Sequence, residues 1–209
     1  MIDLVIFDAD GVLFDSTESN VAYYNAIFAR MGEPKLDRRE EINAVSYAAE
    51  QMFEDRARDH PGKLARMKEI ARTLDATPFL RLLRPPLELR PFMLELRVSY
   101  RLALATNRSA TVPALVEHLD LAGVFDAIAS ARDKVRPKPA PDILTLCLER
   151  AAVSARRAVY VGDSAIDLEA AASAGTHFIA VGERVEHPAR IQTIAQLPVA
   201  LAAFAARAE

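Results

Sequence analysis

At 209 residues and 23.0 kDa, the chain has room for one full domain or for a domain carrying a smaller insertion. Apolar residues make up 51% and charged residues 26%, a globular composition that excludes a disordered chain. A single cysteine, Cys147, excludes an internal disulfide framework and a cysteine-cluster metal site, and a net charge of −3 excludes the basic footprint of a dedicated nucleic-acid binder.

Residues 3–7 (DLVIF) are a β-branched apolar run that stops at an Asp/Gly cluster, which predicts a buried strand. Asp3, Asp8 and Asp10 interrupt the apolar N-terminus and no basic stretch precedes it, so neither a signal peptide nor an anchor is expected. No window approaches ~20 uncharged apolar residues, and a soluble cytoplasmic protein is the expectation. From Ser16 to about Arg84 the period becomes helical. Val21, Tyr24, Ala26, Ile27, Phe28 and Met31 predict an amphipathic helix ending near Gly32 and Pro34. Residues 37–59 and 63–75 predict two more, parted by His60, Pro61 and Gly62.

Past Pro85–Pro86 the pattern alternates. Strands are predicted at 101–105, 125–129, 158–161 and 177–181, with helices at 88–97, 109–120, 140–152, 164–174 and 191–206. Such alternation builds a parallel sheet covered by helices on both faces. The economical topology is an α/β core, residues 1–15 and 85–209, interrupted by a helical insertion at 16–84.

In open α/β sheets the ligand site lies at the carboxyl ends of the strands. There the sequence places Asp8 and Asp10, then Thr106 and Asn107, then Gly162, Asp163 and Ser164. Paired carboxylates repel, and a divalent cation holds them ionised; oxygen-only ligands favour Mg²⁺ over zinc. Asp163 and Asp167 would share one face of a helix start. Alone they read equally well as an N-cap and a helix-dipole partner; beside the first acidic pair the metal reading is preferred. Thr106, Asn107 and a helix starting near Ser109 suit a phosphate, although a plain capping turn has the same residues. Lys138 stands in RPKPAPD, presented from a stiff proline loop unless it is simply a solvated surface lysine.

These strings carry a resemblance. DLVIFDADGVLFDS, LALATNR, RPKPAPD and YVGDSAIDLEAAASAG resemble, in order, the four motifs of the haloacid dehalogenase superfamily, over residues 3 to about 182. The resemblance implies a Rossmann-like core with an inserted helical cap. It implies Asp8 as the nucleophile that forms an aspartyl-phosphate and Asp10 as general acid, then base. It implies Gly11, Thr106, Asn107 and Lys138 around the phosphate. Mg²⁺ would be held by Asp8, the Asp10 carbonyl and Asp163, with Asp167 supporting through water. Asp10 argues against true dehalogenases, which lack a second acid there. The cap lysines Lys35, Lys63 and Lys68 match no Schiff-base motif of phosphonoacetaldehyde hydrolases.

The overall pattern most resembles phosphoglycolate phosphatase-like hydrolases acting on a small phosphorylated metabolite, with neither nucleic acid nor membrane as partner. Val12 leans toward sugar-phosphate mutases of the β-phosphoglucomutase type, which are the alternative. A non-catalytic phosphate-binding relative would have lost a catalytic acid, and none is missing. Ala9 replaces a more usual leucine. In the cap stretch INAVSYAAEQMF the polar candidates for substrate choice are Asn43, Ser46, Tyr47 and Gln51, against a packing face of Val45, Met52 and Phe53. His60, His118, His177 and His187 are scattered and take no role, Cys147 reads as a buried thiol, and the arginines of 81–101 and 150–157 read as solvated helix faces.

Overall fold

The computed structural model describes all residues except 48, 59, 87, 110 and 207–209. In chain order it runs β1 (Leu4–Phe7), α1 (Thr17–Ala29), α2 (Arg38–Ser46), α3 (Ala49–Ala57), α4 (Pro61–Thr73), α5 (Thr77–Leu80) and α6 (Leu89–Leu96). There follow β2 (Arg101–Thr106), α7 (Val112–His118), β3 (Ala127–Ser130), α8 (Asp142–Ala151), β4 (Ala158–Gly162), α9 (Ala165–Ala174), β5 (His177–Val181), β6 (Arg190–Ile191) and α10 (Leu197–Ala206). Two compact units result: Met1–Phe14 with Pro85–Glu209, and Asp15–Arg84. None of the described helices is long and apolar enough to cross a membrane.

The first unit is built on a six-stranded parallel sheet in the order β3-β2-β1-β4-β5-β6. Strand β1 is buried at every position, as a strand covered on both faces must be. One face presents Leu4, Ile6, Ala103, Ala105, Ala127, Ala129, Ala158 and Tyr160, packed by Ile143, Leu144, Cys147 and Leu148 of α8 and by Ala170 and Ala171 of α9. The strand order reverses between β1 and β4, so a crevice opens beyond their carboxyl ends. Registry of Phe7 with both Leu104 and Val161 brings Asp8, Thr106 and Asp163 to that one edge.

The second unit is helical. Tyr24, Ile27 and Phe28 of α1, Met52 and Phe53 of α3, and Met67 and Ile70 of α4 form its core. Asp37 caps α2 in a reciprocal box with Glu40, so two otherwise unpaired backbone N–H groups are satisfied.

Several elements differ from the sequence reading. The single helix expected over 37–59 is two, because Tyr47 is extended at φ −86°, ψ 147°; no Gly or Pro announces that break. Pro61 and Gly62 do not separate helices but open α4, where a proline costs no hydrogen bond. α7 starts at Val112, not near Ser109, and has seven residues. Within 191–206, β6 and a 3₁₀ turn at Ile194–Gln196 precede the helix. The arginines are not merely solvated: Arg97 donates to the Gly123 carbonyl at 2.7 Å and pairs with Asp126 at 3.1 Å. Arg101 and Arg150 donate to the carbonyls of Ala151 and Ile128, and Arg157 pairs with Asp3. Cys147 is buried, and burial raises its thiol to about 12.

Candidate active site

Asp8 is the first residue past β1, and its backbone N–H still donates to Val161 at 2.9 Å, so its position is an extension of the sheet. Its carboxylate meets Lys138 at 2.7 Å. The Lys138 ammonium is 3% exposed as a residue and makes two further contacts of 2.7 Å, to Asp167 and to the Tyr160 hydroxyl. Lys138 is therefore no solvated surface lysine. Its loop is held by Asn107, whose side-chain oxygen accepts from Lys138 N–H at 2.8 Å while its amide donates to the Lys138 carbonyl at 3.1 Å. The Asn107 side chain thus places Lys138, a role its reading beside the phosphate did not include.

Gly11 has a packing role as well. Its N–H donates to Phe14 at 2.9 Å, and its φ of +75° suits glycine. A Cβ there would lie 2.0 Å from the Asp163 carboxylate. Gly11 therefore makes room for the Asp163 carboxylate. Thr106 is 1% exposed at the end of β2, and its hydroxyl accepts from Arg108 N–H at 3.1 Å.

The Asp167 carboxylate is completely buried and accepts from Lys138, from Tyr160 at 2.7 Å, and from both the backbone and hydroxyl of Ser164. Four donors fill the acceptor sites a carboxylate has. Ser164, not Asp163, is the N-cap of α9, with Asp167 closing the box. Asp163 instead points across to Arg184 at 2.9 Å. Asp10 is gripped by Arg108 through two bonds of 2.7 and 2.6 Å.

Oxygens of Asp8, Asp163 and Asp167, all buried, lie within 4.8 Å of one another. The Asp10 carboxylate stands outside that trio. Burial, reinforced by Asp167, Asp10 and Asp163 and opposed by Lys138, pushes the Asp8 carboxyl well above its ordinary range. Burial and the Asp167 charge, opposed by Arg184, raise Asp163 to about 7. For Asp167 burial is outweighed by Lys138 and the hydrogen bonds, and it is lowered. Burial lowers Lys138, but Asp167 and Asp8 more than restore it, so it stays charged. Burial and the nearby carboxylates hold Tyr160 as a neutral phenol. Two crowded, proton-retaining carboxyls with all-oxygen donors are what a hard divalent cation would relieve, so the residues fit such an ion.

Sequence reasoning did not single out Arg108, Arg184 or Tyr160. Arg108 directly follows the Thr106–Asn107 pair, and Tyr160 alternates onto the buried face of β4, where a hydroxyl needs a partner. Those were the available signals; Arg184 had none, because its pairing joins residues far apart in the chain.

Residues 5–181 match the family model described as haloacid dehalogenase-like hydrolase, and the chain belongs to that family of enzymes. It is 30% identical over 195 residues to the phosphoglycolate phosphatase of Mesorhizobium japonicum, covering 85% of this chain and 82% of the relative. With the Escherichia coli (strain K12) phosphoglycolate phosphatase, the match is 39% over 75 residues, 35% of this chain and only 30% of that relative's length. Among solved structures, CbbY of Rhodobacter sphaeroides in complex with phosphate superposes with a TM-score of 0.75 at 28% identity, covering 94% of this chain and 96% of that one.

Proposed function

We propose that the chain is a Mg²⁺-dependent phosphatase that hydrolyses a small organic phosphate monoester through an aspartyl-phosphate. The observation that carries this reading is the buried Asp8–Lys138 pair at 2.7 Å, with Thr106 and Asp163 at the same sheet edge. In the first step an Asp8 carboxylate oxygen bonds to phosphorus as the bond to the ester oxygen breaks, and Asp10 gives its proton to that oxygen. In the second, water attacks the phosphorus, Asp10 takes the water's proton, and orthophosphate leaves as the Asp8 carboxylate is restored. Lys138 neutralises charge where two anions must meet, and Thr106 orients a phosphoryl oxygen. Asp8, Asp163 and the Asp10 carbonyl would hold the cation, whose charge offsets that of nucleophile and phosphate. The saturated contacts of Asp167 suit it to anchoring Lys138 more than to binding the ion. The helical unit is inserted directly after the first motif, the chain position at which the family resemblance implies a cap.

Support for the substrate class comes from relatives named phosphoglycolate phosphatase and from CbbY structures with phosphate and with xylulose-(1,5)bisphosphate. The test is orthophosphate release from a panel of metabolite phosphates, with Mg²⁺ and with excess chelator. Release that requires Mg²⁺ is expected; release undiminished by chelator would overturn the metal, and a bisphosphate product in place of orthophosphate would mark a mutase.

A further inference from the structure

Arg108 is placed at the proposed proton donor rather than at the phosphate. Its guanidinium lies 2.6 and 2.7 Å from the two oxygens of Asp10, over the Phe14 ring at 5.6 Å, with the side chain only 15% exposed. Any ester oxygen that Asp10 serves must come within about 3 Å of the same carboxylate. The leaving-group atoms one or two bonds beyond that oxygen therefore fall within reach of the guanidinium. An arginine fork fits a carboxylate or a phosphate by paired hydrogen bonds, as it now fits Asp10. A substrate bearing its own anion at that distance can replace Asp10 on the fork, which leaves the Asp10 oxygens to face the ester. A neutral leaving group offers no such exchange.

We propose that Arg108 is a specificity-determining residue that selects phosphate esters carrying a second anionic group, a carboxylate or a second phosphate, one or two carbons from the ester oxygen. The inference rests on the phosphatase reading and moves substrate choice into the sheet unit, whereas the sequence directs attention to Tyr47 and Gln51 of the helical insertion. Of those, Gln51 bonds to Asp55 on its own helix at 2.8 Å.

Three esters of one two-carbon frame test it: ethyl phosphate, 2-phosphoglycolate and ethane-1,2-diyl bisphosphate, with kcat/KM measured for the wild type, Arg108→Gln and Arg108→Lys. The wild type is expected to favour at least one anionic ester over ethyl phosphate by about 10- to 100-fold, the span of hydrogen bonds to a charged group. Arg108→Gln should bring that ratio close to one, and Arg108→Lys, with charge but no fork, should fall between. Which anionic ester gains more distinguishes carboxylate from phosphate. Thermal melting checks that the variants fold, and if the Gln variant does not, the Lys variant decides. Turnover with a ratio unchanged by either substitution overturns the inference alone. A wild type inert toward all three esters overturns the phosphatase reading together with it.

Discussion

The two units of this chain bury different things. Among the described residues, every buried charged side chain (Asp8, Lys138, Asp163 and Asp167) lies in the sheet unit, whereas the only buried polar side chains of the helical unit are Ser16 and Ser19. The helical unit keeps its ion pairs partly in water, as with Lys63 and Glu33 at 2.8 Å, each about a quarter exposed. Such pairs contribute about 0–1 kcal/mol, so its stability rests on the apolar cluster around Phe28 and Met67. Burying like charges is costly unless each is matched, and in the sheet unit the matching is incomplete: Asp8 and Asp163 both retain protons more tightly than an ordinary carboxyl. One unit is packed for stability, and the other holds electrostatic stress where chemistry would use it.

Substitutions can break this contrast. The largest effect is expected from Asp8→Asn, which removes the nucleophile and should lower turnover by at least about 10³-fold while the melting temperature holds or rises. Retained turnover in a folded variant would end the nucleophile assignment.

Asp167→Ala is expected to act on stability first. It leaves Lys138 and Tyr160 without their shared acceptor, a loss of about 3–5 kcal/mol that denaturant unfolding would show. Asp163→Ala should instead weaken metal binding with little loss of stability. If calorimetric Mg²⁺ titrations show equal losses for both variants, the division between anchor and ligand fails.

In the helical unit, Met67→Ala should cost about 2–4 kcal/mol, because Met67 is fully buried and leaves a cavity. Below its melting range the variant should keep its rate on a small aryl phosphate. A rate loss matching that of Asp8→Asn would mean that the two units do not divide stability and chemistry.

The smallest effect is graded with pH. Burial and Asp167 hold Asp163 at about 7 without metal, and binding needs the carboxylate. Mg²⁺ affinity should therefore fall by at least about tenfold per pH unit below 7, and more steeply where the raised Asp8 also holds its proton. The same raised group stabilises the metal-free fold fully below the ordinary carboxylate range and loses that contribution as pH rises through 7. The melting temperature of the metal-free protein should thus decline over that interval, and Mg²⁺ should raise it most above pH 7. A pH-independent affinity would contradict the placement of Asp163.

Much of this was legible in the chain. Local patterning is enough for β1 to β5, because a buried parallel strand is a short β-branched or apolar run wherever it lies. The same holds for the insertion between β1 and β2 and for the edge where Asp8, Thr106 and Asp163 meet. The sequence could not show that 37–59 breaks at Tyr47, since no local breaker marks the site. Nor could it show that Asn107 holds the Lys138 backbone or that Gly11 leaves room for Asp163. The pairing of Arg108 with Asp10 joins residues 98 positions apart. Residue type and spacing determine which elements form and which chemistry is available, because propensity and periodicity are local. Which donor meets which acceptor depends on how distant strand ends and loops come together, and only the tertiary structure decides that.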